Sequence, residues 1–275
     1  MASSDNAPQR IAIQGERGSN SHMAALQMLG AIEVVPCVLS AEVIEAVLTG
    51  RVDAALLPIE NSLHGSVAEH YDLLLERSVT ILGESLLRIR HNVIAAPGTR
   101  LADIRRVLSH PVALSQCRRW LSAHPEIEVV PFYDTAGSVK HIMQQGLGDA
   151  AGIAPLLAAQ QYGAEIVVAG VEDHAENYTR FYQLARTGAV PDANKLSVAF
   201  SVEHRPGTLI LALEEFRRAG LNLTRIESRP VPGRPWEYVF YVDVRFDTLP
   251  QIDGAMAGLT AHCQMVKELG RYRAA

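Results

Sequence analysis

Cysteine is scarce in this sequence, with three residues among 275 that lie far apart. There is no CxxC pair and no cluster of cysteine with histidine, so the sequence supports neither a disulfide framework nor a structural zinc site. Unpaired thiols fit a reducing compartment, and we expect a cytoplasmic protein. The N-terminal residues 1–9 agree with this, because they lack the basic and apolar regions of a signal peptide.

Two classes of partner are excluded by what is missing. No stretch is apolar for long enough to cross a bilayer, so we expect no membrane contact. The net charge is −5, and no basic stripe with interleaved aromatic residues is present, so we expect no nucleic acid. Gly15 and Gly18 are not followed by the third glycine of a dinucleotide fingerprint, and no metal-binding triad is present. The sequence therefore predicts no cofactor and no metal.

The first 185 residues alternate short apolar runs with amphipathic stretches. Residues 10–14 predict a strand, for example, and residues 19–29 predict the helix that follows it. Such alternation is typical of an α/β architecture with largely parallel strands. The pattern occurs twice, with residues 81–96 as a crossover between two similar lobes, and it predicts a single helix over residues 112–121 in the second lobe. We expect a small ligand in the cleft between the lobes.

Residues 186–194 are rich in Gly, Pro, Asp and Asn, and we interpret them as a linker. The rest of the chain predicts strand, helix, two strands, helix and strand, which is the ferredoxin-like βαββαβ plan. We therefore expect two domains, a two-lobed domain over residues 8–186 and a smaller one over residues 195–272.

Five polar segments fall at strand ends or helix starts, where α/β proteins bind ligands. They are residues 15–22, 57–66, 109–117, 133–138 and 177–181. Each also has a local explanation: capping by Ser19, turn chemistry at Asn61, a proline helix start at Pro111, capping by Asp134, and ordinary strand formation by Thr179. Only the second segment, with five polar side chains between Glu60 and Ser66, favours a binding site on residue chemistry alone.

Taken together and in this order, the segments resemble the prephenate dehydratase family. The matching motifs are the glycine-serine loop at residues 15–21, Pro58-Ile-Glu-Asn-Ser62, Ser109-His-Pro with Gln116-Cys117, Asp134-Thr-Ala136, and the signature triplet Thr179-Arg-Phe181. The C-terminal part resembles an ACT domain, with Glu227-Ser-Arg-Pro230 as its phenylalanine motif. The resemblance covers residues 11–269 and implies a two-lobed catalytic domain like a periplasmic binding protein, followed by the ACT domain.

The resemblance implies the decarboxylating dehydration of prephenate to phenylpyruvate. Aromatisation of the ring drives this reaction, so the family needs no cofactor. Thr179 is the implied catalytic group at the leaving hydroxyl. The implied substrate-binding residues are Ser19, Ser21, Asn61, Ser62, Gln116, Arg180 and Phe181.

The ACT resemblance implies an L-phenylalanine site where two copies of the chain pair, in a homodimer or homotetramer. The implied contacts are Arg205, Pro206, Gly207, Thr208, Leu209, Asn222, Leu223, Glu227 and Ser228. Three positions depart from the family pattern. Thr208 stands where the regulatory motif usually has alanine, Glu16-Arg17 where proline is frequent, and His64 where the residue is frequently small.

Two alternatives stay open on the sequence. Arogenate dehydratase has the same chemistry on an aminated side chain, and residues 134–140 bear on that choice without deciding it. A non-catalytic amino-acid sensor would use the two-lobed domain as a receptor, and the triplet Thr179-Arg-Phe181 argues against it.

Overall fold

The computed structural model describes residues 8–231, 233–234 and 236–275. Most of the N-terminal segment for which no signal peptide is expected, residues 1–7, therefore lies outside the described residues. The chain divides into two compact units. The first comprises the residues up to Val67 together with Ser85–Phe181, and the second comprises Ala68–Glu84 together with Tyr182–Ala275.

The described residues form fifteen strands and nine α-helices. The strands are β1 Gln9–Gln14, β2 Ile32–Cys37, β3 Ala54–Asn61, β4 Gly65–Ser66, β5 Thr80–Arg88, β6 Asn92–Ala95, β7 Arg106–Ser109, β8 Glu128–Pro131, β9 Ala150–Ala154, β10 Glu165–Val168, β11 Tyr178–Ala185, β12 Lys195–Ser201, β13 Asn222–Pro230, β14 Tyr238–Arg245 and β15 Met265–Tyr272. The helices are α1 Asn20–Leu29, α2 Ser40–Leu48, α3 Ala68–Glu76, α4 Pro111–Ser115, α5 Arg118–Ser122, α6 Thr135–Gln145, α7 Leu156–Tyr162, α8 Thr208–Arg218 and α9 Leu249–His262.

The first lobe is built on a sheet with strand order β2-β1-β3-β11-β5, and β4 pairs with β3. Strand β1 runs parallel to both β2 and β3, as the alternating pattern predicts. Ile11, Ile13 and Leu56 are fully buried beneath α1 in the core of this lobe. Because β3 and β11 are neighbours in the sheet, the residues at the end of β3 lie beside those at the start of β11.

The second lobe has its own sheet, with order β10-β6-β9-β7-β8. Strand β7 is parallel to β8 and β9, whereas β6 is antiparallel to β9 and to β10. The antiparallel strand departs from the prediction of largely parallel strands. The chain enters β6 directly from β5 through three residues, so no helical crossover imposes a parallel direction there.

The helix predicted over residues 112–121 is wrong in one respect, because the structure divides it into α4 and α5. The carboxylate of Asp173 accepts hydrogen bonds from the backbone N–H groups of Arg118 and Arg119, at 3.0 and 2.9 Å. This carboxylate caps a new helix start and separates it from α4. Gln116 lies at the break between the two helices.

The C-terminal part has the predicted βαββαβ order. Its sheet runs β13-β14-β12-β15, and all three pairings are antiparallel. Phe216 of α8, Ile252 of α9 and Val242 of β14 are fully buried in one core. The fold class is thus confirmed, while the boundaries at residues 186 and 195 stay a prediction.

Helix α3 packs within the same unit as this sheet. The Lys267 ammonium donates to the carbonyl oxygens of Leu74, Leu75 and Arg77, at 2.7 to 2.9 Å. These carbonyls lie at the C-terminal end of α3, where the helix dipole favours a positive charge. The helix that follows the polar loop at residues 61–66 is therefore anchored to the last strand of the sheet.

Candidate active site

Asn61 is the last residue of β3, and its side chain is oriented by its own backbone surroundings. The Oδ1 atom accepts hydrogen bonds from the N–H groups of Leu63 and His64, at 3.0 and 3.1 Å. The Nδ2 atom must therefore be the donor end of the amide. It lies 2.7 Å from Asn177 Oδ1 and 3.0 Å from Thr179 Oγ1.

Thr179 is the second residue of β11, and its side chain is half-buried. Its Oγ1 atom accepts a hydrogen bond from Asn61 Nδ2, so the hydroxyl proton is left to be donated elsewhere. Among the described residues, no acceptor for that proton is found. A hydroxyl that already accepts a hydrogen bond is a better donor, since hydrogen bonds in a chain polarise one another.

Gln116 joins this group from the second lobe. Its Oε1 atom accepts from Asn177 Nδ2 at 3.0 Å and from His91 Nε2 at 2.8 Å. His91 is 2% exposed, and burial lowers its pKa, which favours the neutral form of this imidazole. The two lobes therefore meet in a buried polar cluster beside Thr179.

Ser62 has a local structural partner. Its N–H group donates to the carbonyl oxygen of Tyr178 at 2.8 Å, and its hydroxyl oxygen accepts from the Tyr178 N–H group at 3.0 Å. The hydroxyl proton is donated to the carbonyl of Glu176 at 3.3 Å. These bonds fix the start of β11 against the end of β3. Substrate binding by Ser62 stays a prediction.

Ser19 and Ser21 are buried at the start of α1. Ser19 is the N-cap and accepts from the N–H group of His22 at 3.4 Å, which is the capping role weighed against anion binding. Neither serine hydrogen-bonds to Asn61, Thr179 or Gln116 within the described part of the chain. Their role as substrate ligands stays a prediction.

The same glycine-serine loop joins the two lobes. The Glu16 carboxylate accepts from Lys140 Nζ at 2.9 Å and from the Tyr133 hydroxyl at 2.8 Å, and both partners belong to the second lobe. The Tyr162 hydroxyl donates to the carbonyl of Arg17 at 2.7 Å. A side chain at Gly18 would come within 2.9 Å of the Ala158 backbone, so glycine permits this close approach.

The other two members of the signature triplet have partners of their own. Phe181 is 1% exposed and packs in the hydrophobic core of the first lobe. Arg180, on the opposite face of β11, is also buried, and its guanidinium lies 3.2 Å from the Glu60 carboxylate. Substrate binding by Arg180 and Phe181 stays a prediction.

Sequence reasoning missed three members of the cluster. Asn177 lies within a segment singled out as polar, but no role was assigned to it. His64 was set aside because of its departure from the family pattern. His91 lies in the predicted crossover, where no local pattern distinguishes a buried histidine from a surface one.

A second candidate site lies in the C-terminal unit. It is a cavity of about 390 Å³ lined by residues 202–210, 236–238 and Phe240. Five of the predicted effector contacts, residues 205–209, line it. The other four, Asn222, Leu223, Glu227 and Ser228, lie on β13, the edge strand of the sheet, and do not line this cavity.

Thr208 is the regulatory-motif residue that departs from the family. Its hydroxyl oxygen lies 2.7 Å from the carbonyl oxygen of Glu203 and 2.9 Å from that of Arg205. The hydroxyl proton is therefore shared between two backbone carbonyls of the loop before α8. The extra polar group is satisfied locally at the cavity wall.

Comparison with known proteins identifies the family. The family model described as Prephenate dehydratase matches residues 11–189. The chain belongs to the prephenate dehydratase family. It is 41% identical to Arogenate dehydratase/prephenate dehydratase 2 of Arabidopsis thaliana, over 96% of this chain and 72% of the relative. The enzymes named in these comparisons as dehydratases are lyases, and this chain shares their domain.

Two solved structures match nearly the whole chain. One is prephenate dehydratase from Arthrobacter aurescens in complex with L-Phe, at a TM-score of 0.86 and 33% identity, covering 96% of this chain and 90% of the other. The other is GqqA, described as a novel type of quorum quenching acylase, at a TM-score of 0.89 and 34% identity, covering 97% and 98%.

The described residues lack a membrane-spanning helix and a metal-binding cluster. None of their helices is both long enough and apolar enough to span a membrane. No group of three or more His, Cys, Asp or Glu side chains among them is arranged to hold a metal ion.

Proposed function

We propose that this chain converts prephenate to phenylpyruvate, carbon dioxide and water. The observation that supports the proposal most directly is the Thr179 hydroxyl, held by Asn61 of the first lobe beside Gln116 of the second, with its proton free for a ligand. Family membership supplies the reaction type, and this geometry supplies a donor for the leaving hydroxyl.

The reaction balances as a fragmentation. The bond between the ring and its carboxylate breaks, and its electron pair becomes part of the new aromatic ring. The ring hydroxyl leaves from the opposite carbon, takes a proton and departs as water. Thr179 donates the hydrogen bond that assists this departure, and the Asn61 amide polarises it. The neutral amide of Gln116, held in place by Asn177, orients the substrate without adding charge.

The choice between prephenate and arogenate needs a direct comparison. The purified chain should form phenylpyruvate from prephenate without added cofactor, and we expect a higher kcat/KM for prephenate than for arogenate. A higher kcat/KM for arogenate would reverse the substrate assignment. Binding of either compound without turnover would instead support the amino-acid sensor.

A second candidate activity is amide hydrolysis, because GqqA is similar over its whole length. A serine and a histidine also lie together at the site, with His64 Nε2 3.3 Å from Ser115 Oγ. An N-acyl amide offered to the purified chain tests this candidate. Hydrolysis that is lost in Ser115→Ala would establish it, and hydrolysis by neither protein would remove it.

We propose further that L-phenylalanine regulates the enzyme through the C-terminal cavity. The cavity is lined by Leu209, Tyr238 and Phe240, which suit a phenyl ring. It also carries Arg205 and Glu203, which form an ion pair with each other and would exchange it for the charged groups of an amino acid. The related structure from Arthrobacter aurescens was solved with L-Phe. Calorimetry with L-phenylalanine and the intact chain should show binding, and no heat at millimolar ligand would contradict this proposal.

We propose a dimer, because only five of the nine predicted phenylalanine contacts line the cavity and the other four lie on β13. Strand β13 is an edge strand, so its unpaired backbone groups can meet a second copy of the chain. Asn222, Leu223, Glu227 and Ser228 would then complete the site from that edge. Light scattering should give at least twice the mass of 29.9 kDa. Residence in the cytoplasm stays a prediction.

A further inference from the structure

His64 completes a closed ring of hydrogen bonds among four residues of the two lobes. Asn61 donates to Asn177, Asn177 donates to Gln116, and Gln116 Nε2 lies 3.1 Å from His64 Nδ1. The ring closes through the His64 backbone N–H group, which donates to Asn61 Oδ1 at 3.1 Å. A histidine thus links the Asn61 loop directly to Gln116.

The direction of every bond in this ring follows from the backbone. Two N–H groups, those of Leu63 and His64, fix Oδ1 as the acceptor end of Asn61. Asn61 must then donate, so Asn177 accepts with Oδ1 and donates with Nδ2. Gln116 accepts with Oε1 and therefore presents its NH₂ group to His64. Reversing any one amide would place two donors or two acceptors face to face.

The tautomer of His64 is a consequence of this order. His64 Nδ1 lies 3.1 Å from Gln116 Nε2 and 3.4 Å from Asn61 Oδ1, and the shorter contact, to a donor, makes Nδ1 an acceptor. The proton of the neutral ring then resides on Nε2. That N–H group lies 3.3 Å from Ser115 Oγ, which in turn donates to the carbonyl of Val112 at 2.7 Å. In this tautomer the imidazole is a donor to Ser115, so hydrolysis by this pair would require the ring of hydrogen bonds to open.

We propose that His64 is a positioning residue for the dehydration, and this proposal rests on the proposed function. By accepting from Gln116, His64 holds the second lobe against the Asn61 loop. It thereby fixes the Gln116 amide, whose Oε1 accepts from Asn177, next to the Asn61 and Thr179 pair. His64 is exposed at the mouth of the cluster and does not contact the Thr179 hydroxyl. Its effect on turnover passes through the ring.

Two measurements test the proposal. Long-range ¹H–¹⁵N correlation spectra of the histidine-labelled protein should show His64 as the Nε2–H tautomer, with the signal assigned by its loss in His64→Asn. Gln116→Ala should release the ring to a mixture of tautomers. A His64 signal of the Nδ1–H form in the parent protein would overturn the bond order derived above.

The kinetic test compares a substitution that removes the acceptor for the Gln116 NH₂ group with one that keeps an acceptor. His64→Ala should lower kcat with prephenate by roughly 10²-fold, the scale expected for misplacement of about 1 Å. His64→Asn puts a carbonyl oxygen near the position of Nδ1 and should recover most of this loss. The matched control is His262→Ala in the C-terminal unit, which should leave kcat unchanged.

The outcomes separate the two proposals. Equal turnover by the parent, His64→Ala and His64→Asn, all with unchanged melting temperature, would remove His64 from the mechanism. A parent protein with no prephenate turnover would contradict the dehydratase proposal instead, and the tautomer spectrum would still decide the hydrogen-bond order.

Discussion

Asn61 Nδ2 lies 3.0 Å from Thr179 Oγ1, and this contact joins the end of one strand to the start of its neighbour in the sheet. The donor end of Asn61 is set by two backbone N–H groups, so the threonine oxygen accepts a hydrogen bond and its own hydroxyl proton is left for a ligand. A threonine hydroxyl is a weak acid by itself. The contact supplies the polarisation that a proton donor at this position needs.

The first prediction concerns the Thr179 hydroxyl. Thr179→Val preserves the shape of the side chain and removes the donor, so kcat with prephenate should fall by about 10²–10⁴. Thr179→Ser keeps the hydroxyl and should retain most of the activity. Steady-state kinetics of both variants check this, with circular dichroism to confirm the fold.

Unchanged turnover by Thr179→Val would contradict this prediction. If Thr179→Val turns over substrate at the parent rate while its circular dichroism spectrum is unchanged, the hydrogen bond to the leaving hydroxyl must come from another group. The role assigned to Thr179 is then wrong.

The second prediction concerns the contact that Glu16 makes between the two lobes. Glu16→Gln removes the charge that pairs with Lys140 and weakens this contact. A substrate held between the lobes, as proposed, should then bind less tightly, so KM should rise while the free energy of unfolding changes by about 1 kcal/mol or less. Lys140→Met should have the same effect, and the double substitution should add little to either one.

A surface ion pair provides the control for this prediction. Asp103→Asn breaks a pair with Arg100 that is fully exposed, and it should leave KM unaltered. Additive effects of Glu16→Gln and Lys140→Met would show that the two side chains act independently.

The third prediction is a pH dependence of stability from His91. Burial lowers the folded-state pKa of His91, so below about pH 6.5 the unfolded chain binds a proton that the folded chain does not. Stability is therefore fully present above that pH and falls as the pH drops, by at most about 1.4 kcal/mol per pH unit. His91→Gln keeps a donor for Gln116 and should flatten the fall. Thermal melts between about pH 7 and pH 5 measure it.

Some acid sensitivity should survive this substitution. Burial also lowers the pKa of His22, whose Nδ1 accepts from the Gly18 N–H group at 3.0 Å. An unchanged slope in His91→Gln would mean that His91 titrates in the same way in the folded and unfolded chains.

Local patterns were sufficient for most of the architecture and for part of the site. The apolar period of residues 54–57 predicts β3, and the polar run after it places Asn61 at a sheet edge. The second helix predicted for the C-terminal part is observed as α9. In these places, the local sequence and the tertiary structure demand the same conformation.

The features that escaped prediction depend on distant residues. The break between α4 and α5 is caused by Asp173, more than fifty residues further along the chain. The inward position of Phe181 depends on which face of β11 covers the first-lobe core. The role of Gln116 depends on His91 and Asn177 together. No periodicity in one segment carries information of this kind.

The last prediction concerns a buried ion pair in the second unit. Lys195 Nζ lies 2.8 Å from the Glu84 carboxylate, and the side chains are only 7% and 4% exposed. Lys195→Met removes the cation and leaves the carboxylate in a site of low polarity, so the free energy of unfolding should fall by about 3–5 kcal/mol. Replacing both residues, as Lys195→Met with Glu84→Leu, should restore most of that stability, because no buried charge remains.

Urea unfolding of the two variants and the parent measures these changes. Arg273→Met is the matched control, since it breaks an exposed ion pair with Asp192 in the same unit and should cause no resolvable change. A single variant as stable as the parent would contradict this prediction.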